Sequence, residues 1–541
     1  MLWPALRSWA RMRYAQEGAT VSVTGTVTGL MPCSAETPAG SAASATTIER
    51  HGIESIPDAD RNASILDFAR ICWGGGNSLA TAVLGAFPIM FGLSFWQGVE
   101  ATVLGLSIGS LVLAPMSIFG PLSGTNNAVS SSAHFGVVGR IVGSFLSLLT
   151  AIAFFAISVW SCGDALVGAA QRVFHFHQTA GMVAVAYAAF ASSVLIICIY
   201  GFRLMLLVNK VAVVASSLLF VCGLSAFWGD FRASYPGAGL HWGQREYAAA
   251  FISSTLVVLA NPISFGAFLG DWTRYVPRDV SKRALMGATV MAQLLTVLPF
   301  VFGLVTASII ARRAPDYLAG ADYAGGLLTV SPGWFCAPLL GLAILSGMST
   351  GTTSLYGTGL DFSSVLPRLS RPQSTLLIGS LACVLVFVGR FSFSLFASLS
   401  TFVSLIVVTT TPWMVIMIIG YVVRRGFYLP EAMQVFNRGQ TGGPYWFTGG
   451  WNVAGMSAWV ISAVLALMMV NIPEHFVGSL GNLAGGLDLS ILAALVLPAF
   501  LYPICLLLAP EPRAVYGPAG PRFVRAIDLP IAPVVPSARR T

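Results

Sequence analysis

Six hydroxyl side chains fall within nine residues of one apolar stretch: Ser346, Ser349, Thr350, Thr352, Thr353 and Ser354. Their oxygens are hard ligands able to replace part of the hydration shell of Na⁺. Serine and threonine also bond the carbonyls of their own helix, and that is their commoner role. Two further apolar stretches carry helix breakers at matched places. One holds Gly74-Gly75-Gly76-Asn77, then Gly85 and Pro88; the other holds Asn261-Pro262, then Gly266 and Gly270. A broken helix frees backbone carbonyls and amides, which membrane depth tolerates only where they line a cavity. Paired breaks in corresponding spans are the sequence sign of a transporter's binding site. Single glycines have a plainer use, in close helix packing. Asn77 inside its glycine-rich break either reads a ligand or bonds the loosened backbone, because a buried amide needs partners.

The elements that must position these groups are membrane spans. The chain has 541 residues, 56% of them hydrophobic and 9% charged, against about 25% charged in soluble proteins. Its mean hydropathy is +0.78. Apolar runs of roughly 20 residues, enough to cross a bilayer, recur at 70–92, 97–120, 140–170, 180–201, 206–228, 248–270, 285–311, 334–360, 374–390, 393–423, 453–471 and 490–509. These twelve predict an all-α polytopic membrane protein. The broken spans are the first and sixth, as expected of two inverted five-helix repeats with two additional helices.

Residues 1–69 read as a disordered cytoplasmic tail, with Thr37–Thr47 rich in small polar residues. The transporter domain spans 70–509, and 510–541 is a Pro-rich, basic, solvated cytoplasmic tail. Arg203, Lys210, Arg274, Arg278, Lys282, Arg283, Arg368, Arg371, Arg424, Arg425 and Arg438 fall in alternate loops, which puts both termini inside the inner membrane.

Several function classes are excluded. The basic residues form no patch for nucleic acid, and the 8 Cys include no CxxC pair for zinc or disulfides. No phosphate loop, nucleophile elbow or metalloprotease helix is present, so the chain is not read as an enzyme and no cofactor is expected. Asp164 lies towards the outer interface, His134, His175 and His177 in loops, and Asp271 with Arg274 forms a structural or gating pair. No carboxylate is read as deeply buried, which argues against a proton relay through Asp or Glu.

The run FGLSFWQ (91–97), the loop PLSGTNNAVSSSAHFGVVGR (121–140) and GDWTRYVPRD (270–279) resemble the nucleobase:cation symporter-1 family. IERHGIESIPDADR (48–61) is similar to the amino-terminal segment of its bacterial purine–cytosine permease branch. The resemblance implies a leucine-transporter-like fold, alternating access, and symport of a planar heterocycle with Na⁺ or H⁺. It implies a ligand sandwiched between aromatics of the third and sixth spans and bonded by side chains of the first, third and eighth. Those positions fall on Phe154, Ser158 and the nearby Trp160, on Phe265, on Asn77 and on Ser354. The cation site falls on Ser349 with Thr350 and Thr353. Relatives place Trp at the stacking positions and an amide at those of Ser158 and Ser354. A serine cannot present an amide's paired donor and acceptor, so a less polar or differently substituted heterocycle, or a vitamin precursor, is an alternative substrate. A channel, or a membrane-embedded enzyme or receptor, is the alternative from another class.

Overall fold

The computed structural model describes residue 49 and residues 52–177, 179–366, 368–392, 395–472 and 476–536, with backbone alone for 389–392, 395–405 and 407. Residues 1–48, with the predicted small-residue stretch, lie outside the described residues.

Helices follow the predicted apolar runs in order. The first run is α1 (Ile65–Gly76) and α2 (Leu79–Met90), followed by α3 (Phe95–Leu113), α4 (Ile141–Phe174), α5 (Ala180–Tyr200) and α6 (Phe202–Phe227). The sixth is α7 (Arg245–Ser264) and α8 (Leu269–Thr273), the seventh α9 (Lys282–Leu294) and α10 (Val297–Arg313), the eighth α11 (Cys336–Tyr356) and α12 (Thr358–Val365). Then come α13 (Arg371–Ser392), α14 (Leu395–Val423), α15 (Val453–Met468) and α16 (Ser490–Leu508). Among the described residues nine helical stretches are long and apolar enough to cross a bilayer, and three more are apolar but shorter. Leu111, Phe145, Val185, Leu218, Leu377 and Phe500 stand exposed, which suits a bundle whose solvent is hydrocarbon.

Local chemistry explains the breaks. A capping box between Ser64 and Asp67 starts α1, and three successive glycines end it. Asn77 leaves the helix at φ −91°, ψ 67°, and extended Ser78 caps α2 by accepting from the Thr81 N–H. In the sixth run α7 ends two residues after Pro262, and the chain then bends through Phe265–Phe268 before α8. Glycine lets α2 and α10 touch backbone to backbone: a methyl on Gly85 would overlap the Phe300 carbonyl, and one on Gly303 the Ala82 carbonyl. α11 packs along α4 and α6, and α3 along α7.

Two expectations need correction, and one loop residue, His134, proves to be enclosed. The described part of the amino-terminal segment is packed, with Ile53, Ile56 and Arg61 buried. Arg61 donates to the Ile56 carbonyl at 2.8 Å and the Pro121 carbonyl at 3.1 Å, so the segment is held by the loop after α3. The carboxy-terminal segment is likewise not wholly solvated. Buried Glu511 pairs with Arg424 at 2.7 Å and accepts from Asn452 at 2.6 Å, and Val535–Pro536 forms a short antiparallel pair with Gln440–Thr441. His134 is buried, its ring nitrogens 2.7 Å from the Tyr428 hydroxyl and 3.3 Å from that of Tyr502. In each case a polar group too costly to bury alone found a partner far off in sequence.

Candidate functional site

The break between α1 and α2 lies against the hydroxyl-rich part of α11. Thr350 Oγ1 donates to the Gly75 carbonyl at 2.9 Å, and Ser346 Oγ accepts from the Leu79 N–H at 3.4 Å. Ser349 Oγ donates to Asn209 Oδ1 of α6 at 2.5 Å. A methyl on Gly74 would stand 2.6 Å from both of those oxygens. Thr353 bonds the carbonyls of Ser349 and Thr350 in its own helix, at 2.9 and 3.0 Å. This crossing gathers hydroxyls, a freed helix-end carbonyl and a side-chain amide oxygen without a formal charge, a donor set suited to Na⁺. Of the three predicted cation ligands, Ser349 and Thr350 bridge to other spans, while Thr353 back-bonds within α11.

Phe265, where the sixth span bends, is buried and meets the same crossing. A methyl on Gly75 would stand 2.7 Å from Phe265 Cε1 and 3.1 Å from Thr353 Oγ1. Phe268 and Trp272 surround the ring, with centroids 5.5 and 5.7 Å from it. On α4, Ser158 donates to the Gly347 carbonyl at 3.3 Å, and half-buried Phe154 lies one turn earlier on the same face. Trp160 is buried but about 200° round the helix from Ser158, so it is not brought beside that pair. Ser354 is buried one turn beyond Thr350 on α11.

Asn77 turns away from this group. Its amide nitrogen lies 2.9 Å from the Ser216 and Ser217 hydroxyls and 3.3 Å from the Val213 carbonyl, tying the break to α6. Two further amides were not read as site residues in the sequence, although Asn261 was marked as a helix breaker. Asn209 supplies the oxygen beside Ser349, and Asn261, at the sixth-span break, has a buried Nδ2 with no hydrogen-bond partner. That Nδ2 would stand 3.5 Å from a methyl on Gly76, so the two breaks face one another. The signal was a lone amide within an apolar run, which hydrocarbon tolerates only with a partner.

One end of the bundle is fastened by the segment before α1. The partly buried Glu49 carboxylate lies 3.1 Å from Arg274 and 3.6 Å from Arg371, and accepts from the Tyr356 hydroxyl at 2.9 Å and from that of Tyr275. The Phe202 N–H adds a bond at 2.8 Å, and Arg274 also donates to the Gly52 carbonyl at 2.6 Å. Burial raises the carboxyl's pKa, but Arg371 and Arg274 with the Tyr275 and Phe202 bonds outweigh it and hold Glu49 below its ordinary value. Arg274 thus pairs with Glu49, and the predicted Asp271–Arg274 pair is not formed. Asp271 and Asp361 are both buried, contrary to the expectation that no carboxylate would be.

A family described as permeases for cytosine and purines, uracil, thiamine and allantoin matches residues 55–491. The Bacillus subtilis protein named "Putative purine-cytosine permease YxlA" is 24% identical over 465 residues, covering 84% of this chain and 95% of its own. The vitamin B6 transporter TPN1 of Saccharomyces cerevisiae is 24% identical over 369 residues, covering 64% of this chain and 61% of its own. Among solved structures, the nucleobase-cation-symport-1 transporter Mhp1, closed with bromovinylhydantoin bound, superposes with TM-score 0.66 at 15% identity, covering 86% of this chain and 95% of that one. Inward-facing Mhp1 gives TM-score 0.61 at 17% identity, covering 89% and 100%. The fold is shared with these transporters.

Proposed function

The chain belongs to the family of permeases for cytosine and purines, uracil, thiamine and allantoin, and on that premise we propose that it imports a nucleobase-like planar heterocycle together with a cation. It is a multi-pass membrane transporter, not an enzyme. The observation that carries the reading is the meeting of the two helix breaks with the α11 hydroxyls and Phe265. A heterocycle would stack on Phe265, with Phe154 across from it and Ser158 and Ser354 on its edge. Aromatic stacking of this kind is worth about 0.5–1.5 kcal/mol beyond buried area. Na⁺ would take oxygens from Ser349, Thr350 and the Gly75 carbonyl. A cation and a substrate that both favour the occluded form are coupled by that shared preference. The full architecture we propose is twelve spans, two inverted five-helix repeats plus two helices, with both termini and the Glu49 latch on the cytoplasmic side. Uptake of labelled cytosine, uracil, allantoin and thiamine into proteoliposomes tests the reading. Saturable uptake that collapses with the cation gradient supports it, and conductance without saturation would replace it with a channel.

A second substrate class, pyridoxine-like vitamin precursors, is favoured by one observation. Ser158 and Ser354 stand where a paired amide donor and acceptor would read an aminopyrimidine, and the yeast relative is named for vitamin B6.

A further inference from the structure

Asp271 of α8 and Asp361 of α12 close the latch end of the sixth and eighth spans, and both are buried. Neither oxygen of Asp271 has a hydrogen-bond partner, nor does Oδ2 of Asp361. Asp361 Oδ1 accepts from Asn126 Nδ2 at 3.1 Å. Asp271 Oδ2 lies against Gly357 so closely that a side chain there would overlap it. Gly357 is one turn before Asp361 on the same helical face, so the two carboxyls approach from different spans. Ser147 of α4 is buried, and its hydroxyl has no hydrogen-bond partner.

The charged groups around the pair decide what it can hold. The charges of Arg274, Arg371 and Glu49 act on Asp271, and those of Arg274 and Asp271 act on Asp361. Tyr275 and Tyr356 complete the wall through their bonds to Glu49. The two guanidiniums are already engaged by Glu49. Two arginines balance Glu49 and one ionised aspartate; a second ionised aspartate would leave a buried cluster with net negative charge. Adjacent carboxylates out of water do not both ionise, and such a pair titrates as a unit. A metal cation suits the place badly, because the Asn126 N–H is donated to Asp361 and the positive charges of Arg274 and Arg371 act on Asp271. A solvent-open cavity of about 600 Å³ at this end reaches Ser363 and Arg371, with Ser363 two residues from Asp361.

We propose that Asp271 and Asp361 bind one exchangeable proton between them, and that this proton holds the latch ends of the sixth and eighth spans together. On release the O–H bond of the protonated carboxyl breaks, its electron pair stays on the carboxylate, and the proton passes to water in the cavity. The two carboxylates then repel, and the contact of Asp271 with Gly357 at the start of α12 opens. The inference rests on the transport reading only for the use made of the proton, so its test needs no substrate.

The infrared carbonyl stretch of protonated carboxylic acids, recorded on purified protein across pH, reports the proton directly. Wild type is expected to show the band at neutral pH, Asp271→Asn and Asp361→Asn each to shift it by removing the carboxylate that shares the proton, and the double variant to lose it. The gate is read by maleimide labelling of Cys198, which is buried 3.5 Å from the Thr352 carbonyl beside the latch, in a chain whose other cysteines are replaced by alanine. Raising the pH speeds labelling in every background by enlarging the thiolate fraction, so the gate is read as the ratio of this background's rate to that of its Asp271→Asn derivative, a ratio that should rise at least tenfold with pH. Should one asparagine variant fail to purify as folded protein, the other decides. No band in wild type at neutral pH, a band that survives both substitutions together, or a labelling ratio that does not change with pH would each overturn the proposal.

Discussion

Gly75 at the end of α1 faces Phe265 at the bend of the sixth span so closely that a methyl group would stand 2.7 Å from the ring's Cε1. The ring occupies space that only glycine leaves, which links the first break to the proposed stacking face. Gly75→Ala must therefore push Phe265 aside. Ligand affinity is expected to fall at least tenfold while the protein still purifies as a monodisperse species. Gly85→Ala has no such escape, because its methyl meets the Phe300 backbone. It should lower stability by about 1–3 kcal/mol, read by thermal unfolding in detergent.

Ser349 and Thr350 join α11 to Asn209 and to the Gly75 carbonyl. Ser349→Ala and Thr350→Val each remove one oxygen from the proposed Na⁺ set. Each is expected to raise the Na⁺ concentration for half-maximal uptake about tenfold, with maximal uptake largely kept at saturating Na⁺. Thr353→Val, whose hydroxyl serves its own helix, should change that concentration less. Uptake against a Na⁺ titration separates the three.

Asn77 is tied to α6 by donors to Ser216, Ser217 and Val213. Asn77→Ala should cost about 1–3 kcal/mol of stability, the usual penalty when a buried polar group loses its partner. The rank order of ligands should stay as in wild type. A changed order would return Asn77 to the substrate.

Glu49→Ala leaves two buried guanidiniums without their carboxylate, a loss of about 3 kcal/mol by analogy with broken buried pairs. The pH dependence follows from a folded-state pKa held below the ordinary one. A depressed carboxyl pKa contributes stability fully present above the unfolded value and lost as pH falls through the folded value. Wild type should accordingly lose stability below the ordinary carboxylate range more steeply than Glu49→Gln, measured as melting temperature against pH.

The broken spans were legible because glycine runs and Asn-Pro are local signals, and α1, α2, α7 and α8 break where those residues stand. The α11 hydroxyls were legible as a group, but their partners were not. Asn209 lies 140 residues from Ser349, and no local pattern ties the two. Glu49 read as part of a tail because its partners, Arg274, Arg371 and Tyr356, sit hundreds of residues away. Asp271 was paired with Arg274 because both lie at the cytoplasmic end of the sixth span, but Glu49, set between Arg274 and Arg371, takes Arg274 instead. Asp361 fell just past the predicted end of its span at residue 360, so its burial left no mark in hydropathy.

Ligand-dependent thermal unfolding of the detergent-purified protein, with and without Na⁺, tests the heterocycle site most directly. The panel is cytosine, uracil, purines, allantoin, hydantoins, thiamine and pyridoxine, run on wild type and Phe265→Ala. At 100 times its dissociation constant a ligand should add about 2.7 kcal/mol of stability, more with Na⁺ than without, and nothing in Phe265→Ala. No stabilisation by any compound, or equal stabilisation of both proteins, would contradict a heterocycle site at the meeting of the two breaks.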